Sequence, residues 1–184
     1  MLEAVQYYST ARSLVIEFKA DMYWSATEEW NPSQGKLWLW GKNQFHLFLP
    51  EIEVVSDGKT LWKYSRENKQ VVVENFEDSG ESTHPSQILF EFLQCEPLSL
   101  ERIREKKRQY YRIVLDASKH SRNFDSLVVY LDPKSHAPQV IKTLDAAENR
   151  SIYRIRKMKR DVGFKKKDFV FSIPKGVEVV DVRE

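Results

Sequence analysis

From Ile16 to Trp24 the apolar residues fall on every second position. Ile16, Phe18, Ala20, Met22 and Trp24 alternate with Glu17, Lys19, Asp21 and Tyr23. Successive side chains of a strand point to opposite faces, so this run predicts a long strand with one buried and one wet side. Ahead of it, Leu2, Val5 and Tyr8 recur at helical spacing, which predicts a short N-terminal helix ending near Arg12. Glu29 to Gln34, holding Asn31-Pro32-Ser33, has turn chemistry. Short strands are then expected over 36–40, 44–49, 52–55, 60–65 and 70–74. Gly41-Lys42-Asn43, Pro50, Asp57-Gly58 and Arg66-Glu67-Asn68 separate them.

Glu77 to Pro85 is polar and irregular. It leads into a helix expected over 86–95: Pro85 suits the first turn, and Ile88, Leu89, Phe92 and Leu93 share one apolar face. After Pro97 the strand rhythm resumes over 98–104, 109–117, 126–131, 139–146 and 151–159. Hairpin turns are expected at Asp132-Pro133-Lys134-Ser135 and Glu148-Asn149. Short terminal strands over 168–171 and 177–182 flank Ile173-Pro174-Lys175-Gly176. Without a linker, a repeat or a low-complexity tract, residues 1–184 are expected to form a single domain. So many strands with so few helices predict a mainly β fold, one large meandering antiparallel sheet. Its apolar face needs a cover that few helices can supply, so a sheet curled around a small helical lid is expected.

The bulk numbers fit that picture. A chain of 184 residues is long enough to bury roughly 70% of its unfolded surface. With 41% hydrophobic and 30% charged residues, it is an ordinary globular composition that excludes disorder. Aromatics reach 12%, and such rigid rings serve a core and an apolar binding surface equally well. A net charge of +2 argues against a dedicated nucleic-acid binder. Local basic clusters exist at Arg102–Arg108, Arg154–Arg160 and Lys165–Lys167. They read either as solvated edges and turns or as a docking surface for anionic lipid or an acidic partner. One cysteine, Cys95, rules out an intrachain disulfide. No stretch has the apolar length of a membrane-spanning helix. The start, Met1-Leu2-Glu3-Ala4, lacks the features of a signal peptide, which leaves a cytoplasmic protein or one whose leader was removed.

Catalytic chemistry is not indicated. Cys95 and the serines have no nucleophile context. His46, His84, His120 and His136 are scattered without metal spacing. Asp57-Gly58-Lys59-Thr60 ends like a phosphate loop, but the upstream glycine is missing and the context is strand–turn–strand, so a hairpin turn is expected. Asp21, Glu51 and Asp145 could pair as carboxylates, yet the periodicity puts them on wet faces or turns. Neither enzyme activity, nor a metal, nor a cofactor is expected.

Three stretches carry a family resemblance. The first joins Gly35-Lys36-Leu37-Trp38-Leu39-Trp40, Phe45, Pro50 and the hairpin Val54-Val55-Ser56-Asp57-Gly58-Lys59-Thr60-Leu61-Trp62-Lys63-Tyr64. The second is Asp145 to Tyr153, and the third is Phe169-Val170-Phe171-Ser172-Ile173-Pro174-Lys175-Gly176-Val177-Glu178-Val179-Val180-Asp181. Together they resemble the LolA family of periplasmic outer-membrane lipoprotein carriers, nearly along the whole chain. The resemblance implies an open, highly curved antiparallel half-barrel covered by a helical lid over an apolar cavity. It implies a periplasmic chaperone that takes acylated lipoproteins from an inner-membrane ABC-type exporter to an outer-membrane receptor, as a monomer, without nucleic acid. Phe45 falls on the family's cavity-facing phenylalanine, while Leu47 stands where the family has tryptophan. Gly41 and Lys42 stand where the family has a basic residue and proline thought to hold the lid, with Lys42 or Arg12 as substitutes. The acyl-chain cavity is expected to be lined by Ile16, Phe18, Met22, Trp38, Trp40, Phe45, Leu47, Leu89, Phe92 and Leu93. Two other roles share this architecture: a periplasmic lipoprotein-sensing regulatory module, and an outer-membrane receptor, which needs a lipobox cysteine.

Overall fold

The expected alternation becomes ladders over most of its length. The structure, a computed structural model, describes residues 11–41, 43–77, 96–116 and 126–183. Twelve strands form: β1 Ser13–Trp24, β2 Glu29–Trp40, β3 Gln44–Phe48, β4 Ile52–Asp57, β5 Thr60–Ser65, β6 Gln70–Asn75, β7 Glu96–Glu105, β8 Arg108–Asp116, β9 Ser126–Leu131, β10 Pro138–Leu144, β11 Arg150–Arg160 and β12 Glu178–Asp181. They lie in the order β12-β6-β5-β4-β3-β2-β1-β11-β10-β9-β8-β7 in one open sheet. Neighbours in sequence are neighbours in the sheet except at two joins, β1 beside β11 and β6 beside β12. The β12–β6 pair is parallel, so the sheet is mixed and not wholly antiparallel as expected. Among the described residues the only helical turn is a 3-10 turn, Lys166–Phe169. The expected helices over 2–12 and 86–95, and with them the lid, fall almost wholly outside the described residues.

The chain divides into two compact units. Among described residues the first holds 18–33, 96–116 and 126–156, and the second holds 11–17, 34–41, 43–77 and 157–183.

In the first unit, the turn between β1 and β2 lies at Ser25–Glu28, not at Asn31-Pro32-Ser33. Ser25 is tied to the β10–β11 loop: its amide donates to Asn149 Oδ1 at 3.0 Å and its hydroxyl to the Ala147 carbonyl. That long-range anchoring decides where the hairpin turns. Pro32 is tolerated because β3 pairs only with residues 36–40 of β2, so on that side the proline has no ladder bond to lose. The β10–β11 loop is built on Asp145, whose Oδ1 accepts from the amides of Ala147 and Asn149, both at 2.9 Å. Asp132 organises the β9–β10 loop in the same way, accepting from Lys134 at 3.0 Å and Ser135 at 2.8 Å. Those backbone bonds hold its carboxyl below the ordinary range.

In the second unit, the β4–β5 turn is the expected hairpin. Asp57 Oδ1 accepts from the amides of Lys59 and Thr60, both at 2.8 Å. Gly58 takes φ +94, and Ser56 Oγ bridges Gly58 N and the Asn43 carbonyl. A self-contained turn of this kind leaves no phosphate cradle. The strand expected over 168–171 is instead the 3-10 turn: Asp168 accepts from the Lys165 amide at 2.8 Å while its own amide donates back to the Lys165 carbonyl. Alternation of Phe169 and Phe171 suggested a strand there, but both rings reach the sheet from a segment with no ladder of its own.

Candidate functional site

The first unit has one apolar face and one on which charged and aliphatic residues mix. Across its ladders Ile113, Val129, Ile141 and Tyr153 stand side by side, and Leu115, Leu127, Thr143 and Ser151 form the next row. Ile113, Leu115, Leu127, Val129 and Ile141 are all buried. Phe18 meets Tyr153 edge-on at 5.9 Å, which puts it on this face, and alternation along β1 adds buried Ala20 and half-buried Met22. Burial pushes the Tyr153 hydroxyl above its ordinary pKa, so it stays neutral beside these alkyl groups. The opposite face is mixed: Arg112, Lys142 and Arg154 stand among Val114, Val128, Val140, Ile152 and the buried Tyr130. There Lys142 Nζ donates to Tyr130 Oη at 3.0 Å and Arg154 pairs with Asp21.

The second unit is apolar on both faces. On one, Leu37, Leu39, Phe45, Val54 and Leu61 are buried, with half-buried Leu47 between them. On the other, Trp38, Trp40, His46, Val55, Trp62 and Tyr64 lie under the segment that follows β11. Phe169, fully buried, stacks on Trp40 at 5.6 Å and 22°; Phe164 packs on Trp38 at 5.4 Å and edge-on to Phe169 at 5.2 Å. Phe171 covers Tyr64 at 5.6 Å. Polar groups on this face are linked. Arg66 Nη2 donates to Glu53 Oε2 at 2.5 Å, Glu53 Oε1 lies 2.7 Å from His46 Nε2, and the His46 ring stacks on Phe48 at 3.8 Å. Burial holds the imidazole below its ordinary pKa, against the opposing pull of Glu53. Arg66 also donates to the Leu49 carbonyl at 2.7 Å, so the three groups tie a loop down and present nothing to a substrate.

Of the ten residues expected to line one cavity, Trp38 and Trp40 face away from Phe45 and Leu47. Phe18 and Met22 sit on the apolar face of the first unit. Phe45 and Leu47 sit on the face of the second unit that carries Leu37, Leu39 and Val54, and Ile16 is a buried residue of the same unit. Trp38 and Trp40 pair with His46 and Gln44 on the face opposite Phe45, and the chain's own aromatic segment covers them. Leu89, Phe92 and Leu93 lie outside the described residues. The Ile113–Val129–Ile141–Tyr153 row was missed, although the alternation of Leu127, Val129 and Leu131 marks it in the sequence. The carboxylates considered for catalysis have other work: Asp21 pairs with Arg154, Asp145 folds a loop, and Glu51 is exposed. Among the described residues, no group of three His, Cys, Asp or Glu could hold a metal.

Comparisons with known proteins give this sheet a family. The model of the family described as outer membrane lipoprotein carrier protein LolA matches residues 9–172. The chain belongs to the LolA family. LolA proteins are carriers and not enzymes. An outer-membrane lipoprotein carrier protein of Alkalilimnicola ehrlichii is 23% identical, over 97% of this chain and 82% of the relative. Among solved structures, an uncharacterized conserved protein of Thermus thermophilus superposes with a TM-score of 0.60 at 14% identity, covering 98% of this chain and 96% of that one. A DUF1329 family protein of Desulfovibrio piger gives a TM-score of 0.50 at 10% identity, with 90% and 92% covered. At those identities the likeness is one of fold alone.

At Gly41, where the resemblance implies a basic residue, the backbone gives a reason for glycine. Gly41 takes φ +62, donates its amide to the Arg12 carbonyl at 3.2 Å, and a Cβ there would meet Gln44 Oε1 at 2.9 Å. A basic residue in its place would have to adopt the left-handed region. Arg12, one of the two substitutes considered, spends its backbone amide on Asp161 Oδ1 at 3.0 Å, and its side chain is exposed. Lys42 lies outside the described residues.

Proposed function

We propose that the chain is a periplasmic carrier that holds the acyl chains of lipoproteins and passes them from an inner-membrane ABC-type exporter to an outer-membrane receptor. The observation that carries this is the wide apolar face of the first unit, from Ile113 through Val129 and Ile141 to Tyr153 and Phe18, in a member of the lipoprotein carrier family. LolA proteins are periplasmic, and we assign this chain to the same compartment.

Acyl chains leave water with a gain of about 0.8 kcal/mol per CH₂, so an apolar surface suffices for binding. The residues of this face are already buried, so uptake exchanges apolar protein contacts for acyl contacts. Affinity is then the small difference between two similar terms, which suits a carrier that must release its load. No nucleotide is required on the chain itself; release follows from a receptor that offers the acyl chains a better surface. Of the residues expected from the sequence, Phe18 and Met22 are the acyl contacts on this face.

Native mass spectrometry of the full chain, before and after incubation with detergent-solubilised triacylated lipoprotein, tests the reading. A bound acylated species that Phe18→Asp abolishes, while the variant keeps its fold by circular dichroism, supports it. A folded chain that takes up no acylated species in any detergent refutes it.

A further inference from the structure

The strand β7 is one edge of the sheet, and its pairing with β8 sorts charge by face. Leu100, Arg102 and Arg104 stand opposite Ile113, Tyr111 and Gln109 on one side. Glu101 and Glu105, opposite Arg112 and Arg108, occupy the other. The chain then turns through Lys106 and Lys107, both left-handed at φ +46 and +69, and re-enters the sheet at Arg108. Glu101 is engaged by Arg112 at 3.5 Å, and Arg102 donates to Gln109 at 2.7 Å. Arg104, Lys106, Lys107 and Arg108 are exposed and have no ion-pair partner among the described residues. Beside them Leu98 and Leu100 are 67% and 56% exposed, the most exposed large hydrophobic residues of the described chain.

Cations alone on an edge strand serve to prevent edge-to-edge pairing. Two bare leucines in line with them work against that purpose, and a purely electrostatic partner has no use for them. Exposed aliphatic side chains next to long cationic ones match the boundary of a lipid bilayer, where alkyl stems lie in the apolar zone and charges reach the headgroups.

We propose that the β7–β8 hairpin docks on the surface of a bilayer that contains anionic phospholipid. Leu98 and Leu100 enter the headgroup boundary, and Arg104 with the turn residues Lys106 and Lys107 meets the phosphates. The contact is reversible, because a few cations and two leucines hold a protein far more weakly than an inserted helix does. Leu100 pairs with Ile113 and so stands at the outer edge of the proposed cargo face, but binding to vesicles needs no lipoprotein, so its failure and the failure of the carrier reading are distinguishable. A carrier that touches a membrane at one edge would be delivered to, or collected from, that surface.

Flotation of the full chain with phosphatidylcholine vesicles, with and without phosphatidylglycerol, tests the proposal. Binding is expected to the anionic vesicles only and to fall steeply with added salt. Replacing Arg104, Lys106 and Lys107 by Gln removes three cations at about 1 kcal/mol each, and the partition coefficient is expected to fall by about 100-fold. Leu98→Ser with Leu100→Ser is expected to weaken binding while leaving the salt dependence unchanged. Replacing Lys165, Lys166 and Lys167 by Gln removes as much charge elsewhere and is expected to change little. Absence of binding, equal binding to neutral vesicles, or equal loss in the Lys165–Lys167 variant would each overturn the proposal.

Discussion

The first unit and the second build the same antiparallel ladders and solve the burial of a sheet face in different ways. In the first, one side is aliphatic, with Ile113, Val129 and Ile141 in register, and the other mixes Arg112, Lys142 and Arg154 with Val114, Val128, Val140 and Ile152. In the second, both sides are apolar, and one is sealed by the chain's own aromatic segment, Phe164, Phe169 and Phe171. Flat rings locked edge-on and stacked give a rigid, specific seal. Aliphatic rows have no such directionality and accept any apolar partner of the right width. The Trp38–Trp40 side is closed by the chain's own rings, and the proposed carrier role puts cargo on the Ile113–Tyr153 side.

The largest effect is expected where the seal is broken. Phe169→Ala removes a fully buried ring that stacks on Trp40 and meets Phe164, and urea unfolding is expected to show a loss of about 3–5 kcal/mol. If the contrast holds, acyl uptake by the folded fraction is unchanged; a loss of uptake at full folding would erase the distinction between the two regions. Glu53→Ala comes next, because it leaves both His46 and Arg66 without their carboxylate on the sealed face. Its cost is expected at about 1–3 kcal/mol, read from the same unfolding curves.

A pH dependence should belong to the sealed region. His46 has a folded pKa below its ordinary 6.5, so the unfolded chain binds more protons in that window. Stability from its neutral form is therefore complete above pH about 6.5 and is lost as pH falls through the folded value. Melting temperatures taken across that range should fall more steeply for the wild type than for His46→Gln, and parallel curves would remove His46 from the account. The smallest effect is at the family departure. Gly41→Lys restores a basic residue at a left-handed position and is expected to cost about 1–2 kcal/mol in urea unfolding.

Much of the sheet was legible in the sequence because alternation and turn chemistry agree there. Asp57-Gly58, Asp132-Pro133 and Glu148-Asn149 each sit at a turn that their own side chains or backbone can close. Asn31-Pro32-Ser33 misled for a physical reason: its local preference was overridden by the long-range bonds of Ser25 to the 145–149 loop. The parallel join of β12 to β6 has no local signal at all, since pairing direction is a property of topology. At the site, the register explains the miss. Trp38 and Trp40 are one residue out of step with Leu37 and Leu39, and a period of two sends neighbours to opposite faces. The sequence marks both sets as apolar, and only the position of Phe164 and Phe169 tells which face is taken.

The central claim, that cargo lies on the aliphatic face and not on the aromatic one, is tested most directly by site-specific photocrosslinking. A photoreactive phenylalanine analogue at Met22 or at Trp40, illuminated with a radiolabelled triacylated lipoprotein, reads out each face separately. The account predicts a labelled adduct from Met22 and none from Trp40. An adduct from Trp40 with none from Met22 would contradict it.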